Sequence, residues 1–487
     1  MSALLPLVVA GPLVAAMLAL VTGSERLRRS LGLAVPAAVL AAAVALVAAT
    51  SDGDVLVTQV AGWPAGVSIS FAADLLGALM LALTSLLVLV CLAYAATSGD
   101  DRDRNLVPLA LVLSAGTFGA FLTADLFNLF VLIEIALIPT YVLMTRTGSR
   151  EELGAGRIYL TVNLTASTVF LLGVGLLYGT AGTVNLGRLV GAGAESGAVA
   201  LATGVLLVAL AIKTALVPVH GWLPRSYPYP SPVVTALFSG LLTKIGVYAI
   251  FRVYTVLFSG ESRWDVVVVV VTIVSMVVGV LGALGETTVR AVLAFHMVSQ
   301  VGYIVLGVGI GGVVGLSAGI FYLLHHTVVK TSLFLSAGVV ERVEGTGCID
   351  RLGGLARRQP LLGVAFMGAA LSLVGIPPFS GFVAKYVLIR AGVVDGQYVA
   401  AAVALVVSLF TLLSMLKVWN GVFWGDEPTR DDRLAPGIPT RGMVVPGLVL
   451  AALSLLVGLS PEWLLWLSDR AAAGLADPST YATAVAG

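Results

Sequence analysis

The stretch Lys213-Thr-Ala-Leu-Val-Pro-Val-His-Gly-Trp-Leu-Pro224 places a lysine and a proline at the end of a segment that is apolar enough to cross a membrane. A second stretch, Gly375-Ile-Pro-Pro-Phe-Ser-Gly381, interrupts a later apolar segment. Proline removes a backbone donor and clashes with the preceding helical turn. Irregular backbone at membrane depth is tolerated only where protein or a cavity surrounds it. Paired breaks of this kind indicate a transport site.

All five lysines of the chain fall inside apolar segments: Lys213, Lys244, Lys330, Lys385 and Lys417. A charge at the middle of a bilayer costs several kcal/mol, with estimates of roughly 3 to 17. Such residues persist where they face the protein interior and a path for water or protons. The lysine pattern therefore predicts a membrane protein that moves charge.

The composition is that of a membrane protein and gives no sign of a nucleic-acid-binding, metal-binding or ATP-hydrolysing protein. Of 487 residues, 59% are hydrophobic and 11% are charged, against about 25% charged in a soluble domain. The formal net charge of +1 gives no sign of nucleic-acid binding. Cys91 and Cys348 offer no disulfide framework, zinc spacing or iron–sulfur motif, and no phosphate-binding loop for ATP is present. We expect no cofactor and no metal, and an energy source in an ion gradient or a partner.

Fourteen apolar segments have the length of about 20 residues that a helix needs to span a bilayer. The first is predicted to be a transmembrane helix and not a cleaved signal, because its basic cluster follows the apolar run. Arginines collect in alternate loops, so both termini are predicted to lie outside. Residues 52–70 are predicted to form a small outer hairpin. The segments are 3–22, 31–50, 71–97, 106–124, 126–146, 153–178, 198–218, 232–258, 264–284, 288–311, 313–340, 360–392, 396–424 and 441–468.

The segments divide into four regions. Residues 1–105 hold three peripheral helices, and 441–487 hold the last helix and a tail. Between them, 106–258 and 264–424 form two five-helix units. Five is odd, so the second unit is inverted relative to the first. The broken helices, seven and twelve, then occupy matching places in the two units and carry Lys213 and Lys385.

Seven side chains are candidates for moving protons: Glu134, Lys213, Lys244, His325, His326, Lys330 and Lys385. Glu134 is the only carboxylate near the middle of a segment, and a lysine nearby would keep it charged. Histidine is the natural relay group at neutral pH. Because His325 and His326 are adjacent and cannot face the same way, one of them is expected in the path. His220, His296 and Lys417 are weaker candidates, and the alternative for each group is a static structural contact.

The set of motifs resembles a known family, the antiporter-like subunits shared by respiratory complex I and the Mrp-type multisubunit cation/proton antiporters. The resemblance covers about residues 70–425 and matches the family's helix-5 glutamate to Glu134, its helix-7 lysine to Lys213 and its helix-12 lysine to Lys385. Lys244 matches the helix-8 lysine. His325 or His326, with Lys330, matches the helix-11 pair.

Within the family, the run Asp125-Leu-Phe-Asn-Leu-Phe130 resembles the Mrp D-type chain, and the proline at Pro139 resembles the M-type chain of complex I. The resemblance implies fourteen helices, two inverted repeats, no enzymatic activity of its own, and hydrophobic partner subunits in a bacterial inner membrane. Protons would move in exchange for a monovalent cation, most simply Na+. Two alternatives stay open: a pump subunit of NADH–quinone oxidoreductase or a membrane hydrogenase, and a single-chain solute carrier.

Overall fold

The chain is a bundle of α-helices with one short β-hairpin. The computed structural model describes residues 1–63, 68–426 and 441–486. The helices are α1 (Leu4–Val21), α2 (Glu25–Thr50), α3 (Leu75–Ser98), α4 (Leu106–Leu122), α5 (Leu126–Met144), α6 (Arg150–Ala181), α7 (Ala192–Glu195), α8 (Gly197–Thr214), α9 (Trp222–Ser226), α10 (Pro232–Leu257), α11 (Asp265–Gly285), α12 (Val289–Ile310), α13 (Gly312–Glu344), α14 (Leu355–Arg358), α15 (Pro360–Val374), α16 (Ser380–Val394), α17 (Tyr398–Val418), α18 (Arg441–Leu459), α19 (Glu462–Ala476) and α20 (Ser479–Ala486). A π-helix, Trp419–Trp424, continues α17.

Within the described residues, twelve helices are long and apolar enough to cross a membrane, and α4 and α15 are shorter apolar helices. The predicted all-helical membrane fold is therefore confirmed, whereas the count of fourteen crossings and the inverted repeats stay predictions. Several predicted boundaries were wrong, and two of these differences have a local cause. The third segment starts at Leu75 because 70–73 form a strand. The last segment ends at Leu459, before Pro461, and a separate helix follows.

One end of the bundle, called here the hairpin end, carries the predicted hairpin. Strand β1 (Leu56–Gln59) pairs antiparallel with β2 (Ser70–Ala73). Isolated bridges join Phe71 to Thr123 and Asp125 to Asn185. The C-terminal helix α20 packs on the turn 186–188 at the same end. These contacts hold the ends of α3, α4 and α5 in register.

Helices α10, α12 and α13 form the centre of the bundle. In their most apolar windows, 100%, 94% and 83% of the residues are buried. A helix that is hydrophobic all round is one that neighbours surround. Polar side chains on these three helices must therefore find partners inside the protein.

The two predicted breaks end in the same local geometry. Helix α8 ends before Ala215, which has φ 60°, and α15 ends before Gly375, which has φ 93°. The N–H of Ile376 returns to the carbonyl of Leu371, and that of Leu216 returns to Ala211, each at 3.0 Å. These bonds satisfy helix-terminal carbonyls and turn the chain away from the helix axis.

The left-handed backbone after α8 and α15 costs more conformational energy at Ala215 than at Gly375, because only glycine adopts this conformation freely. We expect Gly375→Ala to lower the free energy of unfolding by about 2 kcal/mol, since it adds backbone strain and a Cβ 2.7 Å from Cδ of Lys385. Ala215→Gly should instead raise it by about 0.5 kcal/mol, because relieved strain exceeds the added chain entropy. Thermal unfolding in detergent, followed by tryptophan fluorescence, measures both. Equal shifts of the same sign would contradict the cap assignment.

Candidate functional site: buried ionisable side chains

Three helices bring Glu134, Ser167 and Lys213 together, a group called here the Glu134 cluster. Nζ of Lys213 donates to Oγ of Ser167 at 2.9 Å, and the Ser167 hydroxyl donates to Oε1 of Glu134. Lys213 Nζ and Glu134 Oε1 lie 3.9 Å apart. The lysine side chain is 7% exposed and the carboxylate 23%. The expected carboxylate–lysine pair is present, with a hydroxyl between its two members.

A small cavity lies beside Lys213. Its volume of about 20 Å³ is enough for one water molecule. The polar groups around it come from Tyr159, Asn163 and Trp222, and helix α10 closes it with Leu242, Ile245 and Gly246. The indole of Trp222 donates to the carbonyl of Ile212 at 2.8 Å, so the carbonyl exposed by the first break is taken by a side chain and not by Lys213.

Lys244, His326 and Lys330 form the central cluster, and all three are fully buried. Nζ of Lys330 donates to the carbonyl of Leu293 on α12 at 2.8 Å. Nζ of Lys244 has the hydroxyl of Thr243 at 3.3 Å. Neither ring nitrogen of His326 has a hydrogen-bond partner in the part of the chain that the structure describes, and both lysines lie within electrostatic range of this ring. A buried imidazole ring whose two nitrogens are unpartnered can accept a proton from a water molecule or donate one to it.

The second break carries a serine cluster of Ser372, Ser380 and Ser454. Ser454 Oγ lies 2.6 Å from Ser372 Oγ and 2.8 Å from Ser380 Oγ. Ser380 Oγ also bonds Nδ1 of His325 at 2.7 Å. Hydroxyls both donate and accept, so the cluster joins His325 on α13 to α15, α16 and α18 through a continuous hydrogen-bond network.

Lys385 lies beside the serine cluster and uses the broken backbone directly. Its Nζ donates to the carbonyl of Val374, the last residue of α15, at 2.7 Å. The ammonium lies 5.3 Å from the ring centroid of Tyr303, and the Tyr303 hydroxyl donates to Ala404 O at 2.6 Å. The carbonyl freed by the break thus solvates a lysine, as the sequence predicts.

Two of the three weaker candidates, Lys417 and His296, have structural partners. Lys417 Nζ donates to the carbonyls of Leu284 and Glu286 at 2.9 and 2.5 Å, so it caps the end of α11. His296 Nε2 bonds Ser414 Oγ at 2.6 Å. His220 Nδ1, in the loop between α8 and α9, is buried without a hydrogen-bond partner among the described residues. In the described part of the chain, no group of three or more His, Cys, Asp or Glu side chains could hold a metal ion.

The sequence reading missed the serines. Ser167 joins Glu134 to Lys213, and Ser380 and Ser454 reach His325. One signal was available: Tyr159, Asn163 and Ser167 are spaced by four and form a polar stripe on α6. The two adjacent histidines face different ways, as expected, and which of them lies in a proton path stays a prediction. His326 lies among the central lysines, and His325 bonds Ser380.

The fold and the buried groups together define a class: a helical membrane protein whose interior holds titratable side chains with hydroxyl and carbonyl partners. A sequence model of the family described as NADH:quinone oxidoreductase/Mrp antiporter, TM, matches residues 123–411. The chain belongs to this family of membrane subunits.

Two related chains match most of this one. The D-type chain of a Na+/H+ antiporter from Alkalihalophilus pseudofirmus is 36% identical over 437 residues, which is 88% of each chain. The chain of the same name from Bacillus subtilis is 34% identical over 433 residues, 87% of each chain.

Similar structures come from three kinds of complex. A chain of the Mrp complex from Dietzia sp. DQ12-45-1b superposes with a TM-score of 0.97 at 49% identity, covering 100% of this chain and 99% of that one. A chain of an archaeal membrane-bound sulfane sulfur reductase gives 0.89 at 25% identity, over 99% of both. A chain of respiratory complex I from Thermus thermophilus gives 0.83 at 26% identity, over 98% and 99%.

The Glu134 cluster predicts energetic coupling between its two charged members. We expect Glu134→Gln and Lys213→Met each to destabilise the protein, because each leaves the other charge without its partner. The double variant should lose about 1–2 kcal/mol less free energy of unfolding than the two single variants lose in total. The difference is modest because Glu134 is partly exposed. Thermal unfolding of the four proteins measures this difference.

The control pairs Glu134→Gln with Lys385→Met, which lies in the other half of the bundle. The losses of unfolding free energy caused by these two substitutions should add to within about 0.5 kcal/mol. If the Glu134–Lys213 pair is also additive, the two side chains do not interact as described.

Proposed function

We propose that the chain is the D-type, proton-translocating subunit of a multisubunit Na+/H+ antiporter of the Mrp kind. The observation that carries the proposal is the hydrogen-bonded chain from Lys213 through Ser167 to Glu134. A lysine bonded to a neutral hydroxyl, with a carboxylate one step away, can gain and lose a proton without leaving an unsolvated charge. Two relatives that span 87–88% of this chain are named as D-type chains of Na+/H+ antiporters.

Protons pass, in this proposal, between the three groups of buried side chains. Lys213 exchanges protons through Ser167 and the neighbouring cavity. Lys244, His326 and Lys330 hold charge in the middle of the bundle. His325 and the serine cluster lead from there towards Lys385. Hydroxyl, imidazole and water links suit this transfer because each can accept one proton while giving up another.

The energy for transport comes from the cation gradient and from neighbouring subunits. Glu134 is 23% exposed on the flank of the bundle, next to Phe127, Ile138 and Val142, which are 50%, 61% and 49% exposed. A second hydrophobic subunit beside α5 would cover this face and place its own charges near Glu134. Chains of similar structure come from multisubunit membrane complexes, which supports partners of this kind.

A pump subunit of complex I or of a membrane hydrogenase is the second candidate, because the same fold occurs in complex I. The identity of 49% with a chain of an Mrp complex, against 26% with a chain of complex I, favours the antiporter. By resemblance, Lys385 also stands where the M-type chain of complex I carries a glutamate. A single-chain solute carrier is less well supported, because the polar groups extend along the bundle and do not surround one pocket.

The proposed location is a bacterial inner membrane with both termini outside. Cytoplasmic loops of membrane proteins carry the excess of lysine and arginine. The end of the bundle opposite the hairpin carries a group of arginines that supports this orientation: Arg102, Arg104, Arg146, Arg342 and Arg357. Identification of the proteins that co-purify with the chain tests the partners: small hydrophobic subunits support the antiporter, and flavin or iron–sulfur subunits support the pump.

The relay predicts that Lys213→Ala and Lys385→Ala each abolish cation-driven proton movement in everted vesicles that carry the complete complex. Each removes the only amine at its break, so no group there can hold the proton. Lys417→Ala is the matched control: it removes a lysine that caps α11, so it should lower thermal stability and retain transport. Normal transport in both Lys213→Ala and Lys385→Ala, with the complex assembled, would defeat the relay.

Ser167 gives a finer test of the same path. Ser167→Ala should slow cation-driven proton movement by about ten- to hundredfold, because the Lys213 ammonium loses a hydrogen bond worth about 1.5–3 kcal/mol when one partner is charged. Ser167→Thr keeps a hydroxyl at this position and should retain most of the rate. An equal loss in both variants would show that packing at this position matters and the hydroxyl does not.

A further inference from the structure

A line of polar side chains leads from the central cluster to the hairpin end along α10. Lys244, Tyr248 and Arg252 are spaced by four, so they follow one another on the same face of the helix. The Tyr248 hydroxyl donates to the carbonyl of Phe121 at 2.8 Å, near the hairpin-end terminus of α4. Arg252 ends the line and is only 2% exposed.

Arg252 is fixed by contacts from three directions. Its Nη2 donates to Oδ2 of Asp74 at 2.5 Å and lies 3.4 Å from the Tyr248 hydroxyl. Asp74 is itself held in place, because its Oδ1 accepts from the N–H of Gly77 at the start of α3. The ring of Tyr481, on α20, covers the guanidinium with its centroid 4.5 Å away. The charge is thus buried between α3, α10 and the C-terminal helix.

Two explanations fit a buried arginine–aspartate pair. It can act as a structural clamp alone, although buried ion pairs add little net stability over apolar packing. It can also act as a barrier, because arginine stays charged at all relevant pH values and a fixed positive charge in a narrow polar path excludes protons and cations. The position of Arg252, two helical turns beyond Lys244 on the same face, favours the barrier.

We infer that Arg252 is an electrostatic barrier that closes the hairpin end of this line and separates Lys244 from the aqueous phase beyond. Asp74 and Tyr481 contact the guanidinium and help to bury it, but the barrier itself is the positive charge of Arg252. The inference rests on the proposed function in one respect, that Lys244 carries protons. Beyond the proposed function, the barrier controls passive proton leak: without it, protons cross the protein when no transported cation is present.

The test uses everted vesicles that carry the complete complex in a buffer free of Na+ and other transported cations. A pH gradient is imposed, and its decay is followed with a pH-sensitive fluorescent dye. Arg252→Gln should speed the decay by about tenfold or more, the factor that a barrier lowered by about 1.4 kcal/mol gives. Arg252→Lys keeps the positive charge and should leave the vesicles tight.

Asp74→Asn is the matched control for loss of the ion pair. It breaks the same contact but keeps the Arg252 charge, and asparagine still caps α3, so the vesicles should stay tight. The double variant Arg252→Gln/Lys244→Ala should lose the leak, because the path then lacks its amine. Assembly of each variant is checked by co-purification of the other subunits.

The inference is overturned if Arg252→Gln vesicles are as tight as wild type, if Asp74→Asn leaks as much as Arg252→Gln, or if the double variant still leaks. These outcomes are separate from failure of the proposed function, which shows as normal cation-driven transport in Lys213→Ala and Lys385→Ala. A leak that needs Lys244 would stand even if those two lysines proved dispensable.

Discussion

A lysine ammonium buried in a membrane protein needs an oxygen at hydrogen-bond distance, and here each of the five lysines receives an uncharged one. Lys213 and Lys244 use hydroxyls, and Lys330, Lys385 and Lys417 use backbone carbonyls. A neutral oxygen solvates the amine without neutralising it, so the proton remains removable. The arginines follow another rule: Arg146, Arg252 and Arg290 bond carboxylates directly, which fixes a charge that never leaves.

The broken helices follow from this constraint. An intact helix uses its carbonyls for its own N–H groups, so a carbonyl at a helix end is the more available acceptor for a buried amine, although Lys330 bonds the carbonyl of Leu293 within α12. The second break frees the carbonyl of Val374 for Lys385. In the first break, Trp222 takes the carbonyl of Ile212, and Lys213 bonds Ser167 instead. Lys213 and Lys385 are thus solvated by different oxygens, a hydroxyl and a backbone carbonyl, and of the two only Lys213 forms an ion pair with a carboxylate among the described residues.

The sequence was sufficient to predict the elements that depend on composition and spacing. The buried lysines, the two breaks and the hairpin follow from apolar length, proline and charge placement. Ser380 and Ser454 could not be singled out, because most hydroxyls in these helices bond a carbonyl one turn back, as Ser114 and Thr117 do. The spacing of Ser167 with Tyr159 and Asn163 marks a polar stripe on α6 but does not show which buried groups that stripe meets. That the adjacent His325 and His326 face different ways follows from helical spacing. Spacing alone could not show what each ring meets inside the bundle: His325 bonds Ser380, and His326 lies near Lys244 and Lys330.

No hydrogen bond joins Lys213 to Lys244 in the described residues, and α10 itself separates them. Leu242, Ile245 and Gly246 line the cavity beside Lys213, whereas Lys244, on the opposite face of the helix, lies within electrostatic range of His326 and Lys330. A helix is about 10 Å across. Two unit charges at that separation interact by about 1.7 kcal/mol at an effective dielectric constant of about 20, which is more than tenfold in a protonation equilibrium. A charge on one lysine therefore disfavours a charge on the other, and this interaction, which lies within the first five-helix unit, needs no hydrogen bond through α10.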